Sequence, residues 1–148
     1  MIEESQKRYK IYEYIRDNNE ITAKMSNTKS LISKLMQNDK KTEEYCDRKI
    51  LEEKNEVKEA MEGQHYHKNM TKREILVNEI SQYIYWLTIV GISKQMSYEE
   101  FNEKEKINEI ISQIDINKIG ETEPITVKEI ITHDLKQMKQ KEYLKEVI

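Results

Sequence analysis

Only three glycines and one proline punctuate this chain of 148 residues. Strands must be joined by turns, and tight turns depend on residues that tolerate or impose unusual φ angles. A chain so poor in them has few places to reverse direction, which favours long helices joined by short polar loops. Hydrophobic residues also recur at helical spacing along most of the sequence. The expected fold class is therefore all-α: a helical bundle of about five to six helices, completed by oligomerisation. Residues 1–114 form the helical domain. Residues 115–148 form a linker plus a C-terminal helix that packs on the bundle or on a partner.

Five helical segments and a last helix can be placed. The first spans Ser5 to Asp17, with Tyr9, Tyr12 and Ile15 as its stripe, and Asn18-Asn19 closes it. The second spans Lys29 to Met36, with Leu31, Ile32, Leu35 and Met36 at helical spacing; Gln37 to Lys41 is a polar break. The third begins near Thr42. It carries Cys46, Ile50, Val57 and Met61 on one face and stops at Gly63. After a loop from Gln64 to Met70, the fourth opens on a capping box of Thr71 and Glu74 and runs to about Lys94. From Ile75 to Ile92 it is apolar on nearly every side, which marks a central helix buried all round. Ser97 and Glu100 form a second capping box and open a fifth helix with Phe101, Ile107, Ile110, Ile111 and Ile114 inward. Asp115 to Pro124 is a linker. The last helix starts at Thr126, is capped by Glu129, and turns Val127, Ile130, Ile131, Leu135 and Met138 to one side.

Charge and cysteine usage exclude several classes. Twenty-five basic residues are interspersed with 28 acidic ones, for a net charge of −3, so there is no basic stripe and a nucleic-acid polymer is not an expected partner. The single cysteine, Cys46, rules out an internal disulfide and suits a reducing, cytoplasmic setting. The acidic start, Met1-Ile2-Glu3-Glu4, is not a signal peptide. The longest apolar stretch, Tyr83 to Ile92, contains Thr88 and Gly91 and falls short of the roughly 20 residues that span a bilayer, so no membrane partner is expected.

The residues that suggest chemistry lie on the two middle helices. At about 100° per residue, Glu53 falls inside the stripe of Cys46, Ile50 and Val57, and Glu56 falls on its edge. A carboxylate inside a core stripe is costly unless something compensates it. On the next helix Glu79 and Gln82 share a face with Ile75, Trp86 and Val90. Two helices thus direct carboxylate and amide oxygens into an apolar interior, an arrangement that suits Mg²⁺ or Mn²⁺. Glu-Glu-x-x-Glu alone says little in so acidic a chain. It recurs at Glu99-Glu100-Phe101-Asn102-Glu103, where the acids simply favour a first helical turn.

Ile50 to Ala60, with Glu52-Glu53-Lys54-Asn55-Glu56 at its centre, resembles the first motif of the MazG and phosphoribosyl-ATP pyrophosphohydrolase superfamily. Glu79-Ile80-Ser81-Gln82, with the aromatic-containing run Tyr83 to Leu87, resembles its second motif, Glu-x-x-Asp. Ser97 to Phe101 resembles the start of the following helix, and the likeness extends over roughly Ile11 to Ile114. The resemblance implies a MazG-like bundle, usually a homodimer or higher homo-oligomer. It also implies a Mg²⁺- or Mn²⁺-dependent cleavage of a nucleotide between its α and β phosphates, giving a monophosphate and pyrophosphate. Glu53, Glu56 and Glu79 would be metal ligands, with Glu52 a ligand or water-activating base. Gln82 stands where the family has aspartate and removes a charge from the metal site. The alternative is a non-catalytic nucleotide-sensing or protein-interaction module of the same fold.

Other features carry less. His65-Tyr66-His67 with Cys46 fits no standard zinc spacing, and loop histidines are usually solvated. His133 sits among charges and reads as a surface residue. Nine tyrosines stand against one phenylalanine. They either line a cleft for a base or sit at the core rim with the hydroxyl wet.

Overall fold

The computed structural model describes residues 2–17 and 28–142, and these are helical with no strand among them. Seven helices follow one another: α1 (Ile2–Arg16), α2 (Thr28–Met36), α3 (Lys40–Met61), α4 (Lys72–Ser93), α5 (Tyr98–Glu105), α6 (Ile107–Ser112) and α7 (Val127–Glu142). A short 3₁₀ turn, Asn117–Ile119, lies in the linker before α7. The expected stop at Asn18-Asn19 and the side chain of Met138 lie outside the described residues.

The helix boundaries follow local chemistry. Asp39 caps α3, its side chain accepting from the Thr42 amide at 3.1 Å, so the helix starts at Lys40 rather than Thr42. Thr71 with Glu74 and Ser97 with Glu100 both form reciprocal capping boxes. Thr126 and Glu129 do the same before α7, with the Thr126 amide donating to Glu129 Oε2 at 3.0 Å. Gly63 takes φ 71°, the left-handed geometry that lets the chain leave α3.

α4 is the axis. It contacts α1, α2, α3, α5 and α7, and no residue from Ile75 to Ser93 is exposed. The helix containing Tyr83 to Ile92 is longer than that stretch. By length and composition alone α4 could cross a membrane, but 61% of its apolar window is buried inside this one chain. α7 lies against α1 and α4, and Ile125, Ile130 and Ile131 join the same core as Ile15, Leu76, Ile80 and Ile89.

Several expectations are corrected. The expected fifth helix is two helices, because Lys106 takes the left-handed conformation at φ 52°. Phe101 and Ile107 are six residues apart, about 240° round a continuous helix. Breaking the helix resets the phase, so that Phe101, Ile107 and Ile111 are all buried. The stripe of α1 is Ile11, Tyr12 and Ile15; Tyr9 is 39% exposed. Met36 is 49% exposed rather than inward; among the described side chains of α2, Thr28 and Ile32 are the buried ones. Three tyrosines belong to the core rather than its rim: Tyr12, Tyr85 and Tyr98. The Tyr12 hydroxyl donates to Met96 O at 2.8 Å, and that of Tyr85 bonds the Thr28 hydroxyl. His133 is half-buried, and its pKa is lowered by burial and by Lys136.

Gly91 sets the distance between α4 and α5. A Cβ there would stand 2.7 Å from Cδ1 of the buried Phe101 ring, which would have to shift to admit it. Gly91→Ala should therefore cost about 1–3 kcal/mol by overpacking, outweighing the roughly 1 kcal/mol gained in helix propensity. Urea unfolding checks this; an unchanged or higher midpoint would mean that α5 yields.

Candidate metal centre

α3 and α4 lie side by side, and their shared face holds the acids. Glu53 stands between Ile50 and Val57 on α3 and is 6% exposed. Glu56 and Glu79 are half-buried. Each of the three offers a carboxylate oxygen, and those atoms all lie within 4.8 Å of one another. Among the described residues this is the one set of three or more histidine, cysteine or acidic side chains so arranged.

The electrostatics are strained. Glu53 Oε2 is buried and accepts no hydrogen bond, and Glu79 Oε2 is likewise sealed from solvent. Burial, then the neighbouring Glu56 charge and its side chain, push the Glu53 carboxyl up to about 7, while Lys49 pulls it down. A divalent cation would relieve this state. Oxygens bound to one Mg²⁺ at about 2.1 Å can be no more than about 4.2 Å apart, so a small closure of the present cluster suffices. The donor set, all hard oxygen, fits Mg²⁺ or Mn²⁺ rather than a soft metal.

Of the four acids singled out in the sequence, three converge. Glu52 points elsewhere: its side chain is 59% exposed and pairs with Lys49 at 3.3 Å. Gln82 is half-buried, one turn beyond Glu79 on α4. The histidines have other partners. His65 Nε2 lies 2.8 Å from Glu59 Oε1, and His67 Nδ1 accepts from the Asn69 amide at 3.3 Å. Cys46 is buried, and burial pushes its thiol up to about 11, so it stays protonated.

Two groups were missed. Asp134 is 8% exposed on α7 and accepts from the Ser81 hydroxyl of α4. Its signal was present, because Asp134 falls between Ile130, Ile131 and Leu135 on the apolar stripe, as Glu53 does on α3. It lines a cavity of about 40 Å³ with Arg8, Tyr12 and Thr88. The second is an aromatic pair on the same α3–α4 face as the acids. Tyr45 and Trp86 meet edge to face at 5.9 Å, and Lys49 Nζ stands 5.9 Å above the Trp86 ring.

Compared with protein-family models, curated proteins and solved structures, the chain matches none of them. The likeness to the pyrophosphohydrolases is therefore carried by motif and helix order alone.

Proposed function

We propose that this protein is a Mg²⁺- or Mn²⁺-dependent nucleotide pyrophosphohydrolase of the MazG and phosphoribosyl-ATP pyrophosphohydrolase type, attenuated by Gln82. The observation that carries the reading is Glu53. A carboxylate so buried, with an oxygen that accepts no hydrogen bond and two other acids converging on it, is unfavourable in a resting fold. Ligation of a cation gives it a reason. In this reading Glu53, Glu56 and Glu79 hold the ion, and Gln82 can add a neutral carbonyl oxygen. The ion supplies charge neutralisation for the phosphates and activation of a water. The resemblance would make Glu52 the water-activating base, but its carboxylate turns to solvent and pairs with Lys49, so it could take a proton from that water only after leaving that pair. Gln82 favours a second reading, a non-catalytic nucleotide-sensing module, because a neutral ligand weakens the hold on a divalent ion. A homo-oligomer, most simply a dimer, is part of this reading, since α4 is apolar on most sides and several of its residues, Ile84, Trp86 and Val90 among them, are only half-buried in one chain.

A turnover screen decides between the two readings, with nucleoside triphosphates and phosphoribosyl nucleotides, Mg²⁺ or Mn²⁺, and detection of pyrophosphate. Metal alone should raise the melting temperature by mass action. Glu53→Ala should abolish that response and Glu99→Ala should leave it intact. Gln82→Asp should tighten Mg²⁺ binding roughly tenfold, through an added charge, and lower metal-free stability by crowding a fourth carboxylate into the cluster. A melting curve indifferent to millimolar metal sinks the site. If Gln82→Asp changes neither property, the correspondence with Glu-x-x-Asp is wrong.

A further inference from the structure

The acid cluster occupies only one end of the α3–α4 seam. Along α3, Tyr45, Lys49, Glu53 and Glu56 follow at spacings of four, four and three, so they form one stripe. Along α4, Glu79 and Trp86 are two turns apart on one face. Contacts across the seam keep the same order. Tyr45 meets Trp86 at one end, and Glu53 and Glu56 meet Glu79 at the other. Lys49 stands between them. Its Nζ is 3.3 Å from Glu52 Oε2 and 5.9 Å from the Trp86 ring centre, and it lies in the field of Glu53. At about 1.5 Å per residue, the aromatic pair is roughly 10–12 Å from the acids.

We propose that this seam is a single elongated site for an aryl-bearing phosphate ester: the acid-bound ion and Lys49 take the phosphate chain, and the Tyr45–Trp86 pair takes the aromatic ring. This deepens the reading above and rests on its metal centre. The aromatic end of the seam reaches solvent. The side chain of Lys49 is 32% exposed, Tyr45 is 38% exposed and Trp86 is half-buried. Lys49 is held by an exposed acid and a ring face, both weak, exchangeable partners, and by the field of Glu53, which a bound ion would offset. Once a divalent ion satisfies the buried acids, the ammonium can turn to a phosphate oxygen, for which a lysine is a suitable point charge. Moving it also bares the indole, and aromatic rings accept a base by stacking whatever its identity. The separation of the ring pair from the acids suits a nucleoside di- or triphosphate better than a phosphorylated sugar with no base.

Trp86 is the only tryptophan in the chain, so tryptophan emission, excited at the red edge where tyrosine does not absorb, reports on this seam. The full chain would be titrated with Mg²⁺ alone, then with the non-hydrolysable α,β-methylene analogue of ATP in Mg²⁺, then with tripolyphosphate in Mg²⁺. Calorimetry would follow metal binding in parallel. The analogue should quench or shift Trp86 emission only when Mg²⁺ is present. Tripolyphosphate should compete with it while changing emission far less. Lys49→Gln should weaken both phosphate ligands roughly tenfold, the loss of one charge-assisted hydrogen bond, with Mg²⁺ affinity kept or raised. Tyr45→Ala should weaken the analogue and spare tripolyphosphate. If Mg²⁺ binds but Trp86 ignores the analogue, or Lys49→Gln binds tripolyphosphate as well as the parent does, this proposal is overturned while the metal centre stands. If Mg²⁺ itself does not bind, both fall.

Discussion

Arg73→Ala should lower the unfolding free energy by about 2–4 kcal/mol, through lost charge-assisted hydrogen bonds. Arg73 lies in the first turn of α4, and all five of its N–H groups have an acceptor. Nε and Nη2 donate to the two oxygens of Glu129, each at 2.7 Å. Nη1 donates to Glu121 Oε1 at 2.9 Å and Glu123 O at 2.6 Å, and Nη2 also to Pro124 O at 2.9 Å. One side chain thus ties the start of α4 to the linker and to the first turn of α7. The figure stays below the sum of five such bonds because water screens the cluster: the side chains of Glu121 and Glu129 are 39% and 33% exposed. Removal still leaves two carboxylates and two carbonyls without their common donor. Arg73→Lys should recover less than half, since an ammonium cannot repeat the fork. Urea unfolding followed by far-ultraviolet circular dichroism measures both. A loss under about 1 kcal/mol would mean that Ile130 and Ile131 dock α7 unaided, the arginine then counting only as an ordinary surface pair.

Stability should fall as pH rises from about 4 to 7, and Asp134 is the main cause. Burial raises its carboxyl from 3.8 to about 7, while the Ser81 hydroxyl and Arg8 oppose the shift. In that window the unfolded chain releases the proton and the folded chain keeps it. The native state then binds more protons, so stability declines with pH and levels off above about 7. A shift of that size corresponds to something on the order of 4 kcal/mol, and less where neighbours relax. Glu53, raised from 4.5 to about 7, acts with the same sign. Glu74 and Glu129 are lowered and act oppositely below about 4.5, and His133, lowered by burial, acts oppositely within the window, below its ordinary 6.5; Asp134 and Glu53 together outweigh it. Asp134→Asn keeps an acceptor for Ser81 and should flatten at least half of the decline between pH 5 and 7.5. A parent protein equally stable at both pH values, or an undiminished slope in the variant, would show that Asp134 ionises freely in the fold.

The burial of individual acids was legible because its signal is local. Glu53 stood out by sharing a stripe with Cys46, Ile50 and Val57, and it is buried there. Glu56 fell on the edge of that stripe and is half-buried. Glu52, one residue away, could not be separated from them by motif, yet a 100° step turns it to solvent and to Lys49. Asp134 carried the same signal as Glu53 and was passed over because no neighbouring motif drew attention to it. Arg73 carried none. Its carboxylate partners are 48 and 56 residues away, and nothing in Thr71-Lys72-Arg73-Glu74 distinguishes it from a solvated cation.

By itself the sequence determined what acts within a turn or two: the all-helical class, the caps at Thr71, Ser97 and Thr126, the exit at Gly63, and the central place of α4. These follow from spacing, dihedral tolerance and hydrogen bonds among near neighbours, which any stretch of chain carries with it. Only the tertiary structure decided the break at Lys106, the exchange of Tyr9 for Ile11 on the inner face of α1, the seating of α7 on α1 and α4, and the meeting of Glu79 with Glu53 and Glu56. Each depends on which other helix fills the space alongside. Burial, and with it the protonation of a carboxyl, is a property of that neighbour as much as of the residue.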